Sequence, residues 1–211
     1  MADKSNTVID TIEKQLISNL INIQALSDEF VIDIKYATEN NFTGKKIYTA
    51  PFCCMQMSTA KKLIAANKEL LKRGMRIKIW DAYRPLSAQK LLWEITPIVG
   101  FVANPYEGGS IHNCGFAVDV TLVDMNGRGI EMPSEYDDFS CRASRKSNVM
   151  TIAASENLSI LTGVMVKHGF RTIDTEWWHY DDEDLKERIP LDIPFEMVRG
   201  YSVCEGLKGQ I

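Results

Sequence analysis

The chain lacks any apolar run that approaches the roughly 18 residues needed to cross a membrane. It also has no internal repeat, no low-complexity tract and no cluster of basic residues. Its formal net charge of -4 argues against nucleic acid or an anionic membrane surface as the main partner. Because no apolar signal core follows the first residues, we expect a cytoplasmic protein.

Cysteine and histidine are both scarce. The five cysteines are odd in number, and the adjacent Cys53 and Cys54 match neither a CxxC redox motif nor a zinc knuckle, so reduced structural thiols are expected. Of only three histidines, His112 and His179 lie near a carboxylate in the sequence. The third, His168, is expected at a helix C-terminus, where a partial positive charge is favourable.

A length of 211 residues suits one domain with a sizeable core. Hydrophobic periodicity predicts helices over residues 7–24, 58–72, 86–98 and 148–167, and strands over 30–36, 75–80, 117 onward, 130–132 and 170–180. We therefore predict an α+β domain with a central, mostly antiparallel sheet flanked by helices. Residues 1–28 would form a helical extension packed on this domain. A homo-oligomer formed through that extension is an open alternative. The tail from residue 189 would be extended or wrap around the domain.

The stretch from Ser110 to Asp119 joins an imidazole to a carboxylate through a turn that contains Gly115. From residue 117 the sequence alternates as a half-buried strand does, so Asp119 would face a cleft while its neighbours enter the core. The turn could fold His112 back toward the same face. One imidazole and one carboxylate make two thirds of a catalytic zinc site.

The ordinary explanation for a lone histidine near a lone aspartate is a hydrogen-bonded pair. The segment from Glu176 to His179 favours the metal site instead, because it adds a third ligand and a carboxylate three positions earlier. Three protein ligands leave a fourth position for water, and the carboxylate could act as its general base. Two histidines and one carboxylate suit zinc.

Five segments, in the same order along the chain, resemble the zinc D-alanyl-D-alanine dipeptidases of peptidase family M15. They are Tyr36-Ala37-Thr38 with Asn41-Phe42-Thr43-Gly44, Trp80-Asp81-Ala82-Tyr83-Arg84-Pro85, Ser110-x-His112-x-x-Gly115-x-Ala117-x-Asp119, Met132-x-x-x-Tyr136-Asp137 and Glu176-Trp177-Trp178-His179. The resemblance covers most of the chain, from about Asp33 to Phe195. It implies a D-Ala-D-Ala peptidase or hedgehog-like fold with the metal in a cleft on the sheet.

The resemblance also implies roles for single residues. One zinc ion per chain would be bound by His112, Asp119 and His179, with Glu176 as the catalytic base and Arg84 assisting the transition state. A permanent cation with a fixed fork of donors suits that last role. The alternative for Arg84 is a structural salt bridge with a neighbouring aspartate, Asp81.

Substrate contacts are implied at four further positions. Asp137 matches the acidic residue that holds the substrate ammonium, although the adjacent Asp138 leaves the register uncertain by one. Ser110 matches a serine that contacts substrate, Tyr36 lies in the first matching segment, and Phe101 stands where the vancomycin-resistance member has a tyrosine.

Cys114 is a second departure from the family pattern, since relatives commonly carry a basic residue there. A thiol beside His112 raises the alternative of a cysteine nucleophile with His112 as its base. We expect a small buried side chain instead, because metal would occupy the histidine.

The expected reaction is zinc-dependent hydrolysis of D-Ala-D-Ala, a small dipeptide partner, in peptidoglycan precursor turnover or glycopeptide resistance. A second hypothesis keeps the site but cuts longer peptidoglycan peptides, as a D,D-carboxypeptidase or L,D-endopeptidase would. A third is a non-catalytic zinc-binding domain, which the presence of Glu176 and all three ligands disfavours.

Overall fold

A computed structural model describes residues 4–96 and 101–198, with side chains described from residue 11 onward. Four helices alternate with seven strands in this part of the chain. In chain order they are α1 Lys4–Asn19, β1 Leu20–Asn22, β2 Val31–Ile32, β3 Cys54–Gln56, α2 Met57–Leu71, β4 Met75–Asp81, α3 Leu86–Ile95, β5 Ala117–Asp124, α4 Ile152–Lys167, β6 Phe170–Thr172 and β7 His179–Asp182. None of the helices described is both long and apolar enough to cross a membrane.

The main sheet has five strands in the order β2-β4-β5-β7-β6, and a separate pair joins β1 to β3. Only β2 and β4 run parallel; the other neighbours are antiparallel. Helices α2 and α4 pack on the sheet and on each other. The prediction of an α+β fold with a mostly antiparallel sheet is therefore confirmed.

Strand β5 lies at the centre of this sheet, and the prediction of a half-buried strand is wrong. Val118 and Val120 are fully buried, and Asp119 and Thr121 on the opposite face are only 3% and 5% exposed. The irregular segment after β5 covers that second face, since Tyr136 packs its ring 5.0 Å from that of Trp80. The alternation marked the two faces correctly, but burial of the polar one depends on a distant segment.

Pairing and capping move several element boundaries from their predicted positions. The first helix ends at Asn19 rather than near residue 24, because residues 20–22 pair with β3. The strand predicted over 30–36 is reduced to Val31–Ile32, and the last helix begins at Ile152, where the Thr151 side chain accepts a hydrogen bond from Ala154 N.

Three other predicted elements also change. Helix α3 ends at Ile95, and residues 97–98 of the predicted helix lie outside the described residues. Residues 130–132 form no strand; Ile130 only donates its backbone N–H to Leu122. The strand predicted over 170–180 divides into β6 and β7, with Glu176 in the turn between them.

The part of the tail that the structure describes wraps over the elements around β5. Leu191 donates its backbone N–H to Asn113 and accepts one from Leu86, and Ile193 N lies 2.8 Å from the Tyr83 hydroxyl. These bonds fix the segment after β7 against the turn that carries His112. Of the two forms predicted from residue 189, an extended edge segment or a wrap, the contacts of Leu191 and Ile193 agree with the wrap, and residues 199–211 lie outside the described residues.

Candidate metal centre and cavity

Three predicted ligands converge at one end of the central strands. Asp119 on β5 stands directly opposite His179 on β7 in the antiparallel ladder, and His112 lies in a short 3-10 turn before β5. His112 Nε2 is 3.3 Å from Asp119 Oδ1, His179 Nδ1 is 3.0 Å from the same oxygen, and the two nitrogens are 3.2 Å apart. All three side chains are buried, and this group could hold a metal ion.

The turn that folds His112 back has a specific local cause. Ser110 and Asn113 form a reciprocal capping box at its start, and Gly115 ends it in the left-handed conformation, with φ of 75°. A Cβ on Gly115 would lie 2.9 Å from the Leu20 side chain. Glycine is therefore required here both for backbone conformation and for space.

The second polar atom of each ligand is engaged by the protein. His112 Nδ1 is 2.6 Å from the carbonyl oxygen of Ala82, and His179 Nε2 is 2.9 Å from Asp181 Oδ1. The Tyr136 hydroxyl donates to Asp119 Oδ2 at 2.8 Å. Such contacts fix the tautomer and orientation of metal ligands. One nitrogen of each imidazole and one oxygen of the carboxylate are left to face the shared centre.

The spacing and the charge of this group both fit a divalent ion. A tetrahedral ion with bonds of about 2.1 Å would separate its ligand atoms by about 3.4 Å, close to the spacing observed. Burial lowers the pKa of His179, but hydrogen bonds to Asp119 and Asp181 outweigh it and raise that pKa to about 10. Burial opposes ionisation of Asp119, yet the two imidazoles hold the pKa of its carboxyl well below the usual range. The cluster thus favours positive charge, which a bound cation would supply.

Glu176 stands beside this cluster. Its Oε2 is 3.9 Å from His179 Nδ1, and its side chain is only 15% exposed. Burial raises the pKa of the Glu176 carboxyl, although its electrostatic interactions with His179 and His112 oppose the rise. A carboxylate at this distance can reach a water molecule held at the centre of the cluster.

Arg84 is buried and firmly held. Its Nε and one terminal nitrogen lie 3.1 and 2.7 Å from Asp81 Oδ2, and the other terminal nitrogen donates to Gln89 at 2.8 Å. Its guanidinium lies over the Tyr36 ring, 5.1 Å from the centroid. The salt bridge with Asp81 is thus present, as the structural alternative predicted. Because Arg84 also lines the cavity, this bond does not exclude a role toward substrate.

A cavity of about 550 Å³ connects all of these groups. Its lining includes the nine residues predicted to bind metal, act in catalysis or contact substrate, namely Tyr36, Arg84, Phe101, Ser110, His112, Asp119, Asp137, Glu176 and His179. The structure therefore brings together all the predicted site residues. Their individual roles stay predictions.

Asp137 and Asp138 differ sharply in their surroundings. The Tyr36 hydroxyl donates to Asp137 at 3.1 Å, and burial, followed by the charge of Asp119, raises the pKa of the Asp137 carboxyl well above its usual value. Asp137 also has a φ of 57°, which is uncommon for a residue other than glycine. Asp138 pairs with Arg142 at 3.1 Å instead and does not line the cavity. The geometry favours Asp137 for an ammonium contact.

Ser110 and Phe101 occupy the cavity wall in different ways. The Ser110 hydroxyl oxygen accepts a long hydrogen bond of 3.3 Å from His112 N, so part of its bonding capacity is used in the turn. Phe101 packs against Phe139 with ring centroids 5.1 Å apart and has no polar group to offer. These two positions give the wall one hydroxyl and one apolar surface.

The two remaining cysteine and histidine predictions agree with the structure. Cys114 is fully buried, and burial raises the pKa of its thiol to about 11, which opposes the thiolate that a cysteine nucleophile needs. His168 ends helix α4, where its Nε2 lies 3.0 Å from Glu69.

Sequence reasoning missed Asp181, Gln89 and Arg188, all of which contact the site or its cavity. Asp181 had a usable signal, since residues two apart on a strand share a face and it follows His179 by two. Gln89 is one turn into α3, and Arg188 is in the segment after β7, so no local pattern marked either of them.

A sheet end that presents two imidazoles and a carboxylate, with a second carboxylate in the same cavity, is characteristic of a hydrolase with a single metal ion. The chain belongs to the family described as D-ala-D-ala dipeptidase, whose family model matches residues 17–196.

Two curated relatives named D-alanyl-D-alanine dipeptidase illustrate the similarity. The one from Escherichia coli (strain K12) is 31% identical over 164 residues, which cover 78% of this chain and 84% of the relative. The one from Enterococcus faecium is 28% identical over 168 residues, covering 70% and 83%. Among solved structures, a vancomycin-resistance D,D-pentapeptidase in complex with Zn(II) matches with a TM-score of 0.42 and 15% identity, covering 64% of this chain and 76% of that one.

Proposed function

We propose that this protein hydrolyses D-Ala-D-Ala to two molecules of D-alanine, using one zinc ion held by His112, Asp119 and His179. The observation that supports this best is the placement of the ligand cluster and Glu176 in one cavity. Membership of the family and the names of the curated relatives support the substrate. When bound, zinc supplies a Lewis acid that polarises a carbonyl and makes water more acidic.

The protein's own groups handle the protons. Glu176 takes a proton from the attacking water and later passes it to the leaving amine. Burial raises the pKa of this carboxyl toward neutral pH, where acceptance and return of a proton are better balanced. Removal of the carboxylate should stop turnover while the zinc ligands stay in place.

Arg84 is the group suited to the negative charge that develops on the carbonyl oxygen. Asp81 and Gln89 fix its guanidinium, so little reorganisation is needed when that charge forms. By analogy with oxyanion-hole donors, the interaction would lower the barrier by about 3 kcal/mol.

Asp137 gives the cavity a group for the free ammonium of a dipeptide. A carboxylate held by Tyr36 near the cluster would favour substrates with an uncapped N-terminus, because an acylated nitrogen carries no charge to pair with it. This feature favours a dipeptidase over an enzyme for longer peptidoglycan peptides.

The test measures D-alanine release from D-Ala-D-Ala by zinc-loaded protein, by chelated protein and by chelated protein after zinc is restored. Glu176→Gln, which keeps the shape of the side chain, should bind one zinc per chain and release no D-alanine. Metal content by elemental analysis is the control for that variant.

Two outcomes would contradict the proposal. Cleavage of N-acetyl-D-Ala-D-Ala as fast as the free dipeptide would favour a peptidase for longer chains. Zinc binding without hydrolysis of any dipeptide would favour a non-catalytic domain.

Organisation and location belong to the same proposal. We propose a single domain in which the N-terminal segment packs on the core, supported by the hydrogen bond from Gln56 to the Leu16 carbonyl oxygen. A cytoplasmic enzyme without a nucleic-acid or membrane partner stays a prediction. Cell fractionation and size-exclusion chromatography would test location and oligomeric state.

A further inference from the structure

Acidic side chains outnumber arginines in the lining of the cavity, and a dipeptide brings a charge of each sign to it. Five carboxylates and two guanidinium groups line it: Glu107, Asp119, Asp137, Glu176, Asp181, Arg84 and Arg188. A zwitterionic dipeptide brings an ammonium, which these carboxylates favour, and a carboxylate, which they repel. A basic side chain without a carboxylate partner of its own would therefore stabilise the C-terminal carboxylate in this cavity.

Arg84 is poorly placed to be that cation. Its charge is already paired with Asp81 at 2.7 Å, and a further terminal nitrogen is bound to Gln89. Its remaining donors are those assigned above to the carbonyl oxygen. A second positive group is needed for the terminal carboxylate.

Arg188 has the properties required. Within the described residues it forms no ion pair, and its one hydrogen bond runs from a terminal nitrogen to the Gly109 carbonyl oxygen at 2.8 Å. That bond holds the guanidinium against the turn that carries His112, while the other donors of its fork stay available.

The anchor for Arg188 is itself well fixed. Gly109 has a φ of 62°, and an added Cβ would lie 2.5 Å from Asn113 Oδ1, which also accepts the Ser110 N–H at 2.7 Å. On the other side, Leu191 donates its backbone N–H to Asn113 at 2.8 Å. Asn113 therefore contacts both sides of this hydrogen bond: the segment of Gly109, which accepts it, and the segment that carries Arg188, which donates it.

We propose that Arg188 binds the C-terminal carboxylate of the dipeptide and so selects substrates that end at the second residue. The inference rests on the proposed function, because it assigns one end of that substrate. A planar guanidinium can bind a carboxylate through two parallel hydrogen bonds, which a longer peptide or a C-terminal amide cannot offer at this position.

The experiment compares D-Ala-D-Ala with D-alanyl-D-alaninamide, which has the same ammonium and scissile bond but no terminal charge. For Arg188→Met, we expect KM for the dipeptide to rise about tenfold, as suits loss of one charge-assisted contact at a solvent-exposed position. Its kcat should change less than twofold, and KM for the amide should stay as in wild type. Arg188→Lys should recover part of the loss. Arg73→Met, at a position that does not line the cavity and is paired with Glu69, serves as the matched control.

A second measurement separates this inference from the proposed function. Calorimetry gives the dissociation constants of the same two ligands for zinc-loaded Glu176→Gln, with and without Arg188→Met. Suppose that wild type hydrolyses the dipeptide, and that Arg188→Met weakens binding of dipeptide and amide equally or weakens neither. That result would overturn the role of Arg188 and leave the proposed function intact. An equal effect would show that Arg188 only supports the turn. Selective loss of dipeptide binding without any hydrolysis by wild type would support the role of Arg188 and overturn the dipeptidase reaction. Absence of binding in every protein would overturn both.

Discussion

The hydrogen bond between His179 and Asp181 should set much of the metal affinity. His179 presents Nδ1 to the ligand cluster and Nε2 to Asp181 Oδ1, 2.9 Å away, and the Asp181 side chain is only 10% exposed. A buried charge-assisted hydrogen bond contributes roughly 1.5–3 kcal/mol. Loss of such an outer contact typically lowers metal affinity about 10–100-fold.

We therefore expect Asp181→Asn to weaken zinc binding about tenfold, because it keeps an acceptor oxygen but loses the charge. Asp181→Ala should weaken it nearer to a hundredfold, since it also leaves the His179 Nε2 group without its acceptor. Competition against a chromophoric chelator measures both constants. Asp174→Asn, at a side chain that is 65% exposed, is the matched control and should bind zinc as wild type does.

Circular dichroism and thermal melts of the metal-free proteins would establish that each variant is folded. Wild-type affinity in both folded Asp181 variants would refute the reasoning. So would a lower melting temperature with an unchanged dissociation constant, because Asp181 would then stabilise the sheet without acting on the metal.

Two further predictions concern the turn that carries His112. Gly115→Ala should lower the free energy of unfolding by about 2 kcal/mol, because alanine is strained at a φ of 75° and its Cβ would crowd Leu20; thermal melts would show this, and an unchanged melting temperature would contradict it. Gly129→Ala is its control, with open space around the added carbon. Since burial raises the pKa of the Cys114 thiol to about 11, that thiol should stay protonated and unmodified by iodoacetamide at pH 8, whereas exposed Cys141 reacts; mass spectrometry of the native protein is the measurement, and rapid labelling of Cys114 would revive a reactive thiolate.

The sequence was most informative where the site is local. His112 and Asp119 are separated by one turn and the start of one strand, so glycine and the alternation were enough to predict that they meet. His179 reaches them only because β7 pairs with β5 sixty residues later in the chain. No local pattern contains that pairing; His179 was proposed as the third ligand from the residue types in Glu176–His179, and the family resemblance then implied the same role.

The wrong predictions share a similar cause. Residues 20–22 continue the apolar spacing of the first helix, yet they pair with a strand that begins at Cys54, and the backbone hydrogen bonds of that pair outweigh the helical pattern. The polar face of β5 is buried because Tyr136 and its neighbours cover it. Both outcomes depend on contacts between distant segments, which periodicity within one segment does not report.

The same distant contacts explain why the metal cluster should be coupled to the stability of the whole fold. The second polar atom of each ligand is bound by a group from a different segment: the residue directly after β4, the irregular segment after β5, and β7. These groups are on Ala82, Tyr136 and Asp181. An ion bound at the centre would interact favourably with this arrangement only when all three segments are in place, so its binding free energy adds to the stability of the folded state. The cavity that performs the proposed chemistry and the central strands of the sheet therefore depend on the same side chains.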